Sequence, residues 1–153
     1  MAIKRKTKRQ MIAVENLLRH YHYYKSGIKN LKKQLDYIMP GITANYEIQE
    51  GSTGSFVIQS KTEKYAIDRI ESKRALDIYE KIQEYEIIVS SIESSLEVLS
   101  EEEKQFVTLR YFENKSIKVV AYNMNCSERS VFNIRENVLH KLSISLSGIL
   151  ENL

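Results

Sequence analysis

The residues with the clearest chemical potential lie together between positions 127 and 136. Arg129 has a forked guanidinium that suits guanine O6 and N7, and Asn133 has an amide that suits adenine N6 and N7. Glu128 can accept from the cytosine amino group, Phe132 can lie against a thymine methyl, and Ser130 with the helix N-terminus could contact phosphate. These residue types predict a set for reading base edges in DNA, called the reading residues below: Ser127, Glu128, Arg129, Ser130, Phe132, Asn133 and Glu136.

Such a set needs a helix held across a second helix by a tight turn. The stretch "IKVVAYNMNCSERSVFNIRE" (117–136) meets these needs. Ala121 is small enough for a close helix crossing, and Asn125 tolerates the positive φ that the turn requires. The inward positions are apolar, and the stripe continues along the last helix: Val120, Met124, Cys126, Val131, Ile134, Val138 and Leu142. The spacing predicts a helix-turn-helix whose second helix, 128–142, enters the major groove.

Residue patterns typical of helix starts occur at three serines in the C-terminal third of the chain. Ser100 followed by Glu103 forms a capping box, which predicts a new helix running to about Tyr111. Ser116 and Ser127 are the expected N-caps of the next two helices. We therefore place a domain boundary near Leu99 and predict a DNA-binding domain over residues 100–153.

The preceding residues contain two long apolar seams with alternating steps of three and four, the pattern of paired long helices. The first seam should end before Pro40, and the second helix should begin near Thr62. The first seam is Val14, Leu17, Tyr21, Tyr24, Ile28, Leu31, Leu35 and Ile38; the second is Ala75, Ile78, Ile82, Tyr85, Val89, Ile92, Leu96 and Leu99. The predicted fold is all-α, with an antiparallel, coiled-coil-like hairpin before the helix-turn-helix bundle. Pairing of the seams with another copy of the chain stays open.

Between the seams, residues 41–60 change character. "EGSTGS" is a turn signal between two short β-prone runs, so this segment is either a loop or a small hairpin. It lies inside the predicted hairpin and oligomerisation region, residues 1–99.

The charge distribution is uneven, although the net charge is only +3. Residues 1–40 carry ten Lys or Arg against two acidic residues, whereas residues 41–99 carry six against eleven. A basic N-terminal arm, Lys4 to Arg9, either adds sequence-independent phosphate contacts or is a solvated tail.

The sequence argues against an enzyme. It shows no nucleophile–base pairing, Gly-rich phosphate loop or paired acids, and His20, His22 and His140 lack metal-ligand spacing, so we expect neither cofactor nor metal. Cys126 reads as a small apolar residue of the turn. One cysteine, no membrane-length apolar run and no signal peptide favour the cytoplasm.

The segment "LSEEEKQFVTLRYFENKSIKVVAYNMNCSERSVFNIRENVLHKL" resembles region 4 of bacterial sigma factors, the four-helix unit that reads the promoter −35 element. The resemblance is carried by Leu99-Ser100, Glu103, "LRYF" (109–112), Ser116, Val120-Ala121, Ser127, Ser130-Val131 and Leu142. It covers about a third of the chain. Val119 stands where that family has Glu, and the last helix is less basic.

By architecture the whole chain resembles the ArpU/RinA-type late-gene regulators of phages and prophages in Gram-positive bacteria. The resemblance implies a sequence-specific transcription regulator, an activator, with double-stranded DNA and RNA polymerase as partners and a homodimer as the assembly. Two alternatives stay open. One is a packaging protein like a phage small terminase subunit. The other is an interaction protein that binds RNA polymerase through the sigma-like unit.

Overall fold

The computed structural model describes residues 2–39 and 61–151, with side chains for residues 8–39 and 68–151. Six α-helices follow one another in the described chain, and no strand occurs there. They are α1 (Ala2–Ile38), α2 (Lys61–Glu97), α3 (Glu101–Val107), α4 (Ile117–Asn123), α5 (Glu128–Ser145) and α6 (Ser147–Leu150), with a π-helical turn at Thr108–Phe112 after α3. The all-α prediction is confirmed. The predicted loop or hairpin at 41–60 lies outside the described residues.

Both long helices end, and α2 begins, close to the predicted positions. Helix α1 ends at Ile38, two residues before the proline that disfavours helical geometry in its predecessor, and α2 begins at Lys61. Helix α1 starts at Ala2, so the backbone of the basic arm is helical.

Both apolar seams face the protein interior. Every predicted seam position is buried or half-buried. Among the seam positions, burial is deepest at Val14 and Leu17 in α1 and at Ile82 and Ile92 in α2. The 3–4 spacing therefore identified the correct face of each long helix, because residues three and four apart lie on one side of an α-helix.

The chain forms two compact units. The first combines Met1–Lys25 with Glu86–Leu153, and the second is Ser26–Tyr85. The first unit thus contains the start of α1, the end of α2 and all of the C-terminal helices. The domain boundary predicted near Leu99 stays a prediction about independent folding.

In the second unit, α1 approaches α2 closely at Gly27. A Cβ atom placed on Gly27 would lie 2.9 Å from Cε2 of Tyr85, nearer than a side-chain atom can normally come. In the first unit, the hydroxyl of Tyr21 donates to Glu93 at 2.6 Å.

The first unit buries apolar side chains from each of the helices α1 to α5 and from the chain that follows α5. Its most buried side chains are Val14, Leu18, Ile92, Phe106, Val107, Val120, Val131, Val138, Leu139, Leu142 and Leu146. This core fixes α5 against the other elements, because full burial of each such side chain contributes about 1.5–3 kcal/mol of hydrophobic stabilisation.

Helix α3 starts with the predicted capping box. Glu103 N–H donates to Ser100 Oγ at 3.2 Å, and Ser100 N–H donates to Glu103 Oε2 at 3.0 Å. Lys141 of α5 donates to the same carboxylate at 2.7 Å. Burial of Glu103 opposes its ionisation, but the hydrogen bonds from Lys141 and Ser100 outweigh burial and lower the pKa of Glu103.

We expect Ser100→Ala to lower the free energy of unfolding by about 1 kcal/mol, because the first turn of α3 loses its side-chain cap. Urea unfolding followed by circular dichroism measures the loss. The matched control is Ser94→Ala, at an exposed position inside α2, where the change should stay within about 0.5 kcal/mol. Equal unfolding midpoints for the two variants would show that the cap contributes nothing.

Candidate nucleic-acid interface

Helices α4 and α5 form the predicted helix-turn-helix, and their turn closes by backbone hydrogen bonds. Asn125 has φ 51°, as predicted. Asn125 N–H donates to Tyr122 O at 3.2 Å, and Cys126 N–H donates to Ala121 O at 3.1 Å. This bond pair, with a left-handed residue just beyond the helix, is a Schellman motif. It satisfies the last carbonyls of α4 while the chain reverses toward α5.

The predicted apolar side of the motif is buried at its centre and only half-buried at its edge. Ala121, Val120 and Val131 are buried. Met124, Cys126 and Ile134 are half-buried. Ser116 and Ser127 cap α4 and α5 by accepting from the backbone N–H groups of Val119 and Ser130, as predicted.

The left-handed residue makes a specific prediction. Asn125→Ala should lower the free energy of unfolding by about 1 kcal/mol, because a side chain without a local hydrogen-bonding group bears the full strain of positive φ. Asn125→Gly should be at least as stable as the wild type, since glycine adopts this geometry freely. Urea midpoints of the two variants compare them directly. An alanine variant as stable as the glycine variant would contradict this account of the turn.

The reading residues lie at the N-terminal half of α5, and most are open to solvent. Ser130 is half-buried, its hydroxyl lying 3.0 Å from that of Ser127. The others are exposed: Ser127, Glu128, Arg129, Phe132, Asn133 and Glu136. Phe132 keeps 51% of its surface accessible, which is unusual for a large apolar side chain. The side of α5 opposite the core is therefore available to a macromolecular partner.

The other two cations of α5 are paired with acids of the same unit. Arg135 meets Glu15 of α1 at 2.9 Å, and Lys141 meets Glu103 of α3 at 2.7 Å. The exposed side of α5 carries two acids, Glu128 and Glu136, in addition to Arg129. Helix α5 consequently lacks a strongly positive surface, in agreement with its predicted low basicity.

A hydrogen-bonded cluster joins α1, the π-helical turn and α5. One oxygen of Glu15, Oε1, accepts from Tyr111 Oη at 2.7 Å and from Arg135 Nε at 2.9 Å. Burial, followed by the hydrogen bond to Glu15, raises the pKa of Tyr111 above its usual value. Tyr111 therefore stays a neutral donor.

Further contacts of α1 surround that cluster. The Arg19 guanidinium lies 5.5 Å from the centre of the Tyr111 ring, and its Nη1 donates to Asn114 Oδ1 at 3.3 Å. The ring of Tyr21 stacks on Phe112 with centroids 4.7 Å apart. Helix α1 thus packs on the segment that leads into the helix-turn-helix.

Sequence reasoning missed this role of α1, and two signals pointed to it. Glu15 and Asp36 are the two acidic residues among the first forty. Glu15 also adjoins the seam residue Val14, which is fully buried. An isolated acid beside a buried position in a basic segment indicates a paired carboxylate, because burying an unpaired charge is costly.

Within residues 8–39 and 68–151, where side chains are described, no three His, Cys, Asp or Glu side chains are grouped so that they could hold a metal ion. In the same part of the chain, none of the helices has the length and apolar character needed to span a bilayer.

Comparison with known proteins agrees with the geometry. Residues 95–143 match the family model described as Sigma-70, region 4. Searches of curated proteins and of solved structures give no match for the chain. The matched region begins within α2 and ends within α5, so it includes both helices of the motif. The chain therefore carries a helix-turn-helix of the DNA-binding sigma-70 region 4 type.

Proposed function

We propose that this protein is a sequence-specific DNA-binding transcription regulator, an activator of phage or prophage origin, which acts in the cytoplasm without a cofactor or catalytic activity. Helix α5 enters the major groove, where Arg129 and Asn133 contact base edges. The chain acts as a homodimer, which would present two α5 helices to related half-sites.

The observation that carries the proposal is the exposure of the reading residues on a firmly packed helix. Val131, Val138 and Leu142 hold one side of α5 in the core. Arg129 and Asn133, four positions apart, project from the other side and are exposed. A major groove admits an α-helix, and these two side-chain types form bidentate pairs with guanine and adenine.

Selection of genomic DNA fragments with the purified protein tests the proposal. We expect the bound fragments of the host and phage genomes to share a short motif with two-fold related halves. Footprinting should protect that motif. Bound fragments with the composition of the starting library would contradict sequence-specific recognition.

The sigma-type match favours RNA polymerase binding as a second candidate function. In that case the protein would retain polymerase on a column while shifting no fragment of the neighbouring promoter DNA. A regulator that reads DNA should shift the fragment alone, and transcription from it should rise when polymerase and protein are present together.

Oligomeric state separates the regulator from a packaging protein. Light scattering should give the mass of a dimer, about twice 17.9 kDa. A ring of many subunits would instead support the role of a small terminase subunit.

A further inference from the structure

We infer that Glu15, far from the reading residues in sequence, is a positioning residue for DNA recognition: through Arg135 it sets the orientation of α5, so that α1 belongs to the DNA-reading unit. The inference rests on the proposed function for its DNA part. Its structural part, the control of α5 by Glu15, can be tested without DNA.

The geometry of the pair supports this role. Both Nε and Nη2 of Arg135 lie 2.9 Å from Glu15 Oε1, so the guanidinium fork is held at two points. The Glu15 side chain is 16% exposed and that of Arg135 is 36% exposed. Partial burial reduces the screening of this pair by water and salt, so the pair is more than a loose surface contact.

The position of Arg135 on α5 connects the pair to the reading residues. Arg135 follows Phe132 by three residues, and Phe132 follows Glu128 by four. Residues at these spacings are neighbours on one side of a helix. Glu15 therefore holds α5 along the edge of its exposed side, while the core holds the opposite side.

Tyr111, the third residue of the hydrogen-bonded cluster, holds the Glu15 carboxylate in place. Tyr111 is buried and donates to the same oxygen that receives Arg135. The carboxylate is thus held from the π-helical turn as well as from α5. Loss of its charge should free the Arg135 fork and let α5 rotate or tilt within its packing. Angular precision matters for bidentate base contacts, which require two bonds to form together.

The main test uses Glu15→Gln, with Glu93→Gln as the matched control. Like Glu15, Glu93 accepts a hydrogen bond from a tyrosine of this unit, Tyr21, and it also meets Lys25 at 3.6 Å. The two variants lose the same charge, and each replaces a carboxylate in a contact between α1 and another element. In the DNA-free protein, we expect faster hydrogen exchange at the α5 amides of residues 132–136 in Glu15→Gln alone. Unchanged exchange there would overturn the inference, whatever the DNA results.

The DNA readout is the ratio of affinity for a selected fragment to affinity for a scrambled fragment. Glu15→Gln should lower this ratio by about fivefold or more, the lower end of typical coupling between sites, and Glu93→Gln should leave it unchanged. If the affinity ratio of each variant falls only in proportion to its loss of folding stability, Glu15 has a structural role alone, and the inference is overturned. A wild-type protein without sequence preference would refute the proposed function and the DNA part of the inference together.

Arg135→Gln separates positioning from direct contact. If Glu15 acts through Arg135, the double variant Glu15→Gln, Arg135→Gln should have the same ratio as either single variant, since the two changes break one interaction. If Arg135 contacts phosphate itself, Arg135→Gln should weaken binding to all sequences and reduce the salt slope by about one. That second result would overturn positioning by Glu15.

Discussion

Phe106→Ala should lower the free energy of unfolding by about 3–5 kcal/mol, the usual cost of truncating a fully buried phenylalanine. Phe106 of α3 is 0% exposed. Its ring meets the Tyr111 ring edge-on, with centroids 5.7 Å apart. Truncation would leave a cavity beside the π-helical turn, and typical domains are stable by only 5–15 kcal/mol. Urea unfolding followed by circular dichroism measures the change.

Phe132→Ala is the matched control, because it makes the same substitution on the exposed side of α5. We expect it to change the free energy of unfolding by less than about 1 kcal/mol, as surface substitutions generally do. Similar losses of unfolding free energy in the two variants would contradict the buried position of Phe106 in the core of the first unit. If Phe106→Ala fails to fold, Phe106→Leu should fold with a smaller loss of stability.

Arg129→Ala should reduce discrimination at one base pair of the selected site by about 1–3 kcal/mol, or roughly 5- to 150-fold in relative affinity. Arg129 is exposed near the N-terminus of α5, where helix-turn-helix proteins place their base contacts. Binding measured against a set of fragments that differ at single positions would identify the affected base pair.

Arg74→Ala supplies the control for charge. Arg74 is exposed on α2 in the second unit, so this variant also loses one positive charge but none of the reading residues. We expect its base preferences to equal those of the wild type. A folded Arg129→Ala protein with an unaltered preference at every position would remove Arg129 from base reading.

Local sequence patterns were sufficient to predict α1 to α5 and the buried faces of the long helices, but not the π-helical turn or α6. The steps of three and four placed Val14, Ile82 and Ile92 on buried sides, because helical geometry repeats over a few residues. Serine caps and the left-handed Asn125 were predictable for the same reason: each depends on bonds within a few positions of the chain.

The contents of the first unit were not predictable from local pattern. Ser100 begins a new helix, as its capping box indicated, but the compact unit also takes in Met1–Lys25 and the end of α2. A helix start is a local event, whereas a compact unit is defined by which apolar surfaces meet. The seam residues Leu17 and Ile92 could have been buried by many partners of similar shape.

The sequence by itself determined an all-α chain with a helix-turn-helix and a set of residues suited to base edges, because propensity, capping and periodicity act over short distances. Only the tertiary structure decided that Glu15 would meet Tyr111 and Arg135, at separations of 96 and 120 residues. Such a contact depends on how whole helices pack, and no local pattern in the chain specifies that arrangement.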